Sequence, residues 1–155
     1  MGATLLYSYV GPLVGNGADL TEDVLLSYTL PANTLTQDGQ VIHIIAGGTA
    51  ADSADLKYAR IDLGGVRSLI AATLNEVNAI FWTLETWITR DGPNGLIRIG
   101  REVSQEILPV GTLKGATTVP VDWTSDTVFT VTGQNAANSV AGSVAAGGMI
   151  VMLWQ

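Results

Sequence analysis

Any transition-metal site or imidazole base in this chain would have to start at His43, because the 155 residues contain one His and no Cys. A common transition-metal site needs a second His or Cys, so His43, set within Val41-Ile42-His43-Ile44-Ile45, reads as a packed or interface histidine. A serine nucleophile would need that same imidazole, and no G-x-S-x-G elbow occurs anywhere. Asp52, Asp55 and Asp62 lack the one-three-five spacing and terminal Glu of an EF-hand loop, which makes them solvated loop acids and leaves calcium as the residual possibility. Gly15-Asn16-Gly17 hints at a phosphate-binding loop, but the third glycine and the helix after it are missing, so the segment reads as a turn. Glycosidase chemistry needs only two carboxylates; the 14 acids of this chain are scattered and mostly at turns. No enzyme activity, metal or organic cofactor is expected. Two tryptophans remain as contact residues: Trp87, beside Glu85 on one face of an alternating strand, and Trp123 in a polar segment, each a candidate for stacking on a sugar ring or meeting another subunit.

The elements that would position these residues are strands. Ala79 to Arg90 alternates strictly, with Ile80, Trp82, Leu84, Thr86 and Ile88 on one face and Phe81, Thr83, Glu85, Trp87 and Thr89 on the other, which predicts a principal core strand with Trp82 among its anchors. Gln40 to Thr49 is apolar on both faces and predicts a central strand. Further strands are expected at Thr4 to Val10, ended by Gly11-Pro12 and followed by a loop over 13–20, at Glu22 to Leu30, at Leu56 to Leu63, and at Leu96 to Val103. The last two are expected at Asp126 to Thr132 and Met149 to Trp154. Pro31 lacks an N–H and should stop the second strand. Asp38-Gly39 and Asp91-Gly92-Pro93-Asn94-Gly95 read as hairpin turns. Gly65 to Asn78 is ambiguous, because Leu69, Ala72, Leu74 and Val77 approach a helical stripe with room for one turn near Leu74 to Val77. Ser104 to Pro120 is broken by Pro109, Gly111 and Gly115 into short extended pieces. Gln134 to Gly148 reads as a long loop or weak strand. Together these predict one all-β domain over residues 1–155, a single antiparallel β-sandwich of about eight strands, with 1–20 as either a docking arm or an edge strand.

Several of these segments carry a resemblance. SYTLPANTL at Ser27 to Leu35, DGQVIHIIAGGTA at Asp38 to Ala50, and a Lys-bearing strand closing on Gly64-Gly65 resemble a family of small jelly-roll proteins and fibre domains encoded among tailed-phage structural genes. WTLETWITRDGPNG at Trp82 to Gly95 fits as well, and TVFTVTGQNAANSVAGSVAAGGMIVMLW at Thr127 to Trp154 resembles that family's closing strand pair. The motifs cover most of residues 20–155 and consist of turns and strands, with no catalytic pattern. The resemblance implies a jelly-roll fold, with a strand and a long loop between sheets over Gly65 to Asn78, a virion origin with assembly in the host cytoplasm, other virion proteins as partners, and association about a threefold axis.

Composition narrows the function classes. A net charge of −7 with seven basic residues argues against a phosphate-backbone binder, since that affinity comes from clustered Lys and Arg releasing counterions. Arg90, Arg98 and Arg101 are the one close basic group. Charged residues are 14% of the chain against a usual value of about 25%, and so uncharged a surface suits a neighbouring subunit. The N-terminus lacks the basic and apolar regions of a signal peptide, and the final apolar run is far short of the ~20 residues that span a bilayer, so neither secretion signal nor membrane anchor is expected. The combined reading is a non-enzymatic structural protein on the virion exterior, either a capsid decoration subunit or a short fibre knob, working as a homo-oligomer, most simply a trimer. The alternative is a carbohydrate-binding receptor module. Tyr7, Tyr9 and Pro12 are the candidates for docking onto the particle if the first residues are not the sandwich's own edge strand.

Overall fold

The computed structural model describes residues 2–51, 53–64, 66–74, 80–93, 95–106 and 108–155, with side chains for all of these except 66–70, 80, 95–106 and 108–119. Among the described residues there are ten strands: β1 (Ala3–Gly15), β2 (Glu22–Leu30), β3 (Val41–Ala50), β4 (Lys57–Leu63), β5 (Val66–Leu74), β6 (Ile80–Arg90), β7 (Gly95–Glu106), β8 (Leu108–Pro120), β9 (Thr127–Asn135) and β10 (Val144–Trp154). They form a six-stranded sheet in the order β1-β10-β3-β6-β7-β8 and a four-stranded sheet in the order β2-β9-β4-β5. Every pairing is antiparallel. Setting aside the β7–β8 hairpin leaves two sheets of four strands in jelly-roll order, so the expected eight-strand sandwich is present and the hairpin extends one edge of it.

The core lies between the sheets and is supplied by alternate residues of facing strands. From β6 come Trp82, Leu84 and Ile88, all buried, against Ile61, Leu63, Phe129 and Val131 of the other sheet. Burial of each aliphatic side chain contributes about 1.5–3 kcal/mol. Trp82 also satisfies its one polar atom, its Nε1–H donating to the Thr49 carbonyl at 3.1 Å. Gly48 on β3 is required by close approach: a Cβ there would meet the Ala145 carbonyl oxygen of β10 at 1.8 Å. Asp38-Gly39 forms a turn, with Gly39 at φ 88°, a conformation open to glycine, but not the hairpin expected: β2 pairs with β9 and β3 with β10 and β6, so the turn lies in the crossing between the two sheets. Arg90 ties that loop to the next one, donating from Nη1 to the Leu35 carbonyl and from Nε to the Gly92 carbonyl, both at 3.1 Å. One of the three close arginines is therefore a loop fastener.

Four further segments bear on the sequence-based expectations. Gly11-Pro12 does not end the first strand: β1 runs on to Gly15, with an irregularity between Val10 and Val14 that accommodates the Gly-Pro pair while pairing with β10 resumes. Residues 3–15 are thus an edge strand, the second of the two alternatives for the N-terminal segment. Over Val66–Leu74 the strand that the resemblance implies forms, pairing with β4 from Leu63 to Lys57, and the helical stripe does not; of the turn considered near Leu74 to Val77, Leu74 is in the strand and 75–77 lie outside the described residues. Leu108–Pro120 is one continuous strand, because its backbone pairs with β7 along its length and a ladder of backbone hydrogen bonds does not need an alternating side-chain pattern. Within the weakly patterned 134–148, β9 continues to Asn135 and β10 starts at Val144.

Candidate interaction surface

Each strand of a two-sheet sandwich turns alternate residues away from the core, and the two outward faces of this protein differ in kind. On the four-stranded sheet the outward residues include a connected polar group beside the exposed Val24 and Val128. Arg60 pairs with Glu22 at 3.1 Å, donates to the Gln134 side-chain oxygen at 2.9 Å and lies 4.6 Å from the Tyr58 ring centroid. Thr132 Oγ1 donates to Glu22 and lies 3.5 Å from Asp62 Oδ2.

On the six-stranded sheet the outward residues mix apolar side chains with Ser8, His43, Thr49, Thr83, Glu85 and Thr89. Pairing across β1, β10, β3 and β6 sets Leu5, Met152, His43 and Trp87 in one row, and Ser8, Ile150, Ile45 and Glu85 in the next. Phe81 extends the face at 64% exposure, Val10 at 83% and Trp154 at 36%. Across these four strands the charged residues are Glu85 and Arg90 alone. In β7, Ile97, Ile99, Arg101 and Val103 stand opposite Thr89, Trp87, Glu85 and Thr83 in register.

His43 and Glu85 occupy the middle of this face. The two residues lie on adjacent strands, and His43 Nε2 is 2.7 Å from Glu85 Oε1, so the ring donates its Nε2–H to the carboxylate. The His43 ring stacks on Trp87, its direct cross-strand partner, with centroids 4.7 Å apart and planes at 9°. His43 is 7% exposed and its Nδ1 is buried without a hydrogen-bond partner. The arrangement is that of a packed histidine: one ring nitrogen spent on a carboxylate, one ring face spent on indole, and no second imidazole or thiol. Trp87 is half-buried, with one face of its ring covered by His43.

The other singled-out residues are dispersed. Trp123 is 3% exposed and belongs to the core, which removes it as a surface contact of the folded chain. The segment between β8 and β9 folds it inward, where its carbonyl accepts from the Asn33 N–H at 2.8 Å. Tyr7 points toward the sandwich interior and stacks on Tyr28 of β2 at 5.0 Å. Tyr9 packs on the core, and its hydroxyl donates to the Pro12 carbonyl at 2.8 Å while Pro12 itself is exposed. Asp55 offers its main-chain carbonyl to the buried Lys57 Nζ at 2.7 Å, Asp62 lies toward the far end of β4, and Asp52 falls outside the described residues. Among the described residues no group of three or more His, Cys, Asp and Glu is placed to hold a metal ion. Gly15-Asn16-Gly17 is a turn whose Asn16 side-chain oxygen accepts from the Val144 N–H at 2.9 Å.

Two exposed acids are held below the usual carboxylate range by short hydrogen bonds. Asp122 accepts from the Thr124 hydroxyl and N–H and from the Ser125 hydroxyl, and Asp19 accepts from the Thr21 hydroxyl and N–H. Both fasten loops. Burial against Tyr7 and the core raises the Tyr28 phenol above its ordinary value.

The breadth of the apolar outward face is what sequence reading missed. The two-faced pattern of β3 was a partial sign of it. The fuller sign is that β1, β3 and β10, separated in sequence, carry no Asp, Glu, Lys or Arg, which matters only once the fold makes them neighbours.

No protein-family model matches this chain, and no curated protein matches it. Among solved structures it is similar to the CBM2 module of the evolved Dit protein of Lactobacillus casei BL23 phage J-1, at 13% identity and a TM-score of 0.42, over 81% of this chain and 67% of that one.

Proposed function

We infer that the protein is a non-enzymatic structural component on the exterior of a tailed-phage or phage-like particle, a capsid decoration subunit or short fibre knob. The observation that carries this reading is the outward face of β1, β10, β3 and β6, rich in apolar side chains and with Glu85 and Arg90 as its charged residues. A face of that kind serves protein–protein contact, because it offers burial and little to orient a polar small molecule. The sequence resemblance of Ser27 to Gly65 and Trp82 to Gly95 to tailed-phage jelly-roll proteins supplies the setting. Tyr7 and Tyr9 pack on the core and residues 3–15 form the edge strand, so this reading does not depend on docking through Tyr7, Tyr9 and Pro12. Mass spectrometry and cryo-electron microscopy of purified particles test the reading. The chain should be found on the particle surface, and its confinement to the infected cell would overturn the assignment.

A second reading, a carbohydrate-binding module, draws on the exposed rings of Phe81 and Trp154 on the same face, since sugar rings stack on exposed aromatics. Trp87 contributes less to it, with one ring face already on His43. Glycan-array binding that is abolished by Phe81→Ala and Trp154→Ala would favour this second reading.

A further inference from the structure

We propose that one end of the sandwich, between the loops over 51–56 and 136–143, binds a single neutral sugar ring. This site rests on the carbohydrate-binding reading of the protein and gives that reading a place other than Phe81 and Trp154.

The place is set by strand ends. β3 finishes at Ala50 opposite the start of β10 at Val144, and β4 starts at Lys57 opposite Asn135, the last residue of β9. Two backbone hydrogen bonds hold the loops against these ends, from the Ala51 N–H to the Ser143 carbonyl at 2.7 Å and from the Ala136 N–H to the Leu56 carbonyl at 2.9 Å. Between the loops lies a cavity of about 200 Å³. That is below the ~300–1,000 Å³ of pockets for drug-sized ligands, so it admits a single ring.

The polar floor is mostly spent inside the protein. Lys57 Nζ donates to the Ser53 carbonyl at 2.9 Å, the Ser53 hydroxyl at 3.0 Å and the Asp55 carbonyl at 2.7 Å. The Asn135 side-chain N–H groups go to the Gly17, Asp19 and Val140 carbonyls, which turns its Oδ1 toward the Ser143 hydroxyl.

What remains unspent defines the ligand. Ser143 Oγ stands between two acceptors, Asn135 Oδ1 and Asn16 Oδ1. It has one hydrogen to give, and among the described residues its lone pairs receive none, in a side chain that lines the cavity on a residue 3% exposed. A buried acceptor without a donor is costly, and a ligand hydroxyl supplies one. On the same cavity, the Asp55 carboxylate and the Asn138 side-chain amide make no hydrogen bond among the described residues. A carboxylate accepts from hydroxyl groups, and an amide both donates to and accepts from them, which is the pairing that neighbouring hydroxyls on one ring require. Charge disfavours ionic ligands. Asp55 repels an anion, as does a chain of net charge −7, and the Lys57 ammonium in the floor repels a cation.

The test uses the full-length chain, a glycan array, and a panel of methyl glycosides of neutral hexoses, deoxyhexoses and N-acetylhexosamines. Heteronuclear NMR titration with at least one glycoside should shift the Asn138 side-chain amide and the backbone amides of Ser53 to Lys57. Asp55→Ala and Asn138→Ala remove side chains that hold no hydrogen bond in the fold, so both should stay folded by circular dichroism, and each should weaken binding at least about tenfold. Phe81→Ala and Trp154→Ala should leave it unchanged. Binding that survives both Asp55→Ala and Asn138→Ala would overturn the pocket, and its loss in Phe81→Ala or Trp154→Ala instead would leave the carbohydrate reading standing on the outward face. Binding to no glycan in the array or the panel would overturn both.

Discussion

Trp82 and Phe81 are adjacent in sequence and project to opposite faces of β6, so truncating each in turn measures what the tertiary structure adds to two similar aromatic side chains. Trp82 is 1% exposed and Phe81 64%. Trp82→Ala removes a fully buried ring, which costs about 3–5 kcal/mol in transfer and cavity terms. It also deletes the Nε1–H donor to the Thr49 carbonyl, adding about 1 kcal/mol. A total near 4–6 kcal/mol is a large share of the 5–15 kcal/mol typical of a domain. At about 2–4 °C per kcal/mol for a chain of this size, the melting temperature should fall by roughly 10 °C or more. Phe81→Ala should cost under about 0.5 kcal/mol in the monomer, and any larger effect should grow with protein concentration, the sign of a linked association. Trp82→Phe, which keeps a ring and loses the donor, should fall between the two. Urea unfolding followed by far-ultraviolet circular dichroism avoids losing the fluorescent probe with the mutation. A Trp82→Ala cost below about 1 kcal/mol, or equal costs at the two positions in dilute protein, would refute the assignment of faces.

Other consequences are directly measurable. Gly48→Ala should destabilise by more than the usual surface substitution, because the new methyl meets the Ala145 carbonyl oxygen and β3 and β10 must move apart; denaturant titration reads this, and an unchanged midpoint would contradict the strand packing. Hydrogen bonds from Thr124 and Ser125 hold the folded-state Asp122 carboxyl below its ordinary value, so they add stability that is present above that ordinary value and lost as pH falls through the lower folded one; in Asp122→Asn the acid limb of the stability profile, read by denaturant titration against pH, should flatten. Deleting residues 1–11 should lower stability, since it strips β10 of its edge partner and removes Tyr7 from Tyr28; an unchanged melting temperature would mean that β1 is dispensable to the sandwich.

Local order was legible in the sequence because it depends on local chemistry. Pro31, Asp38-Gly39 and Asp91 to Gly95 set strand ends through missing donors and permitted dihedrals, and the period-two pattern of Ala79 to Arg90 placed Trp82, Leu84 and Ile88 together on one face. His43 was read as a packed or interface residue from the absence of any second imidazole or thiol, and the structure gives it packing partners on β6. Strand order was not legible in composition or periodicity, because it is a non-local property. Alternation says that a strand has two faces and is silent on which one a second sheet will cover. Hence Trp87 and Trp123 looked alike as candidates, yet the fold puts Trp123 in the core and leaves Trp87 on an outward face against His43. The same reason explains β8 and the far end of β1, where pairing with a neighbouring strand overrode Gly and Pro signals that would have ended an isolated segment. The apolar-rich surface is the furthest case: four strands scattered from residue 3 to residue 154 become one face when the jelly-roll order sets β1, β10, β3 and β6 side by side.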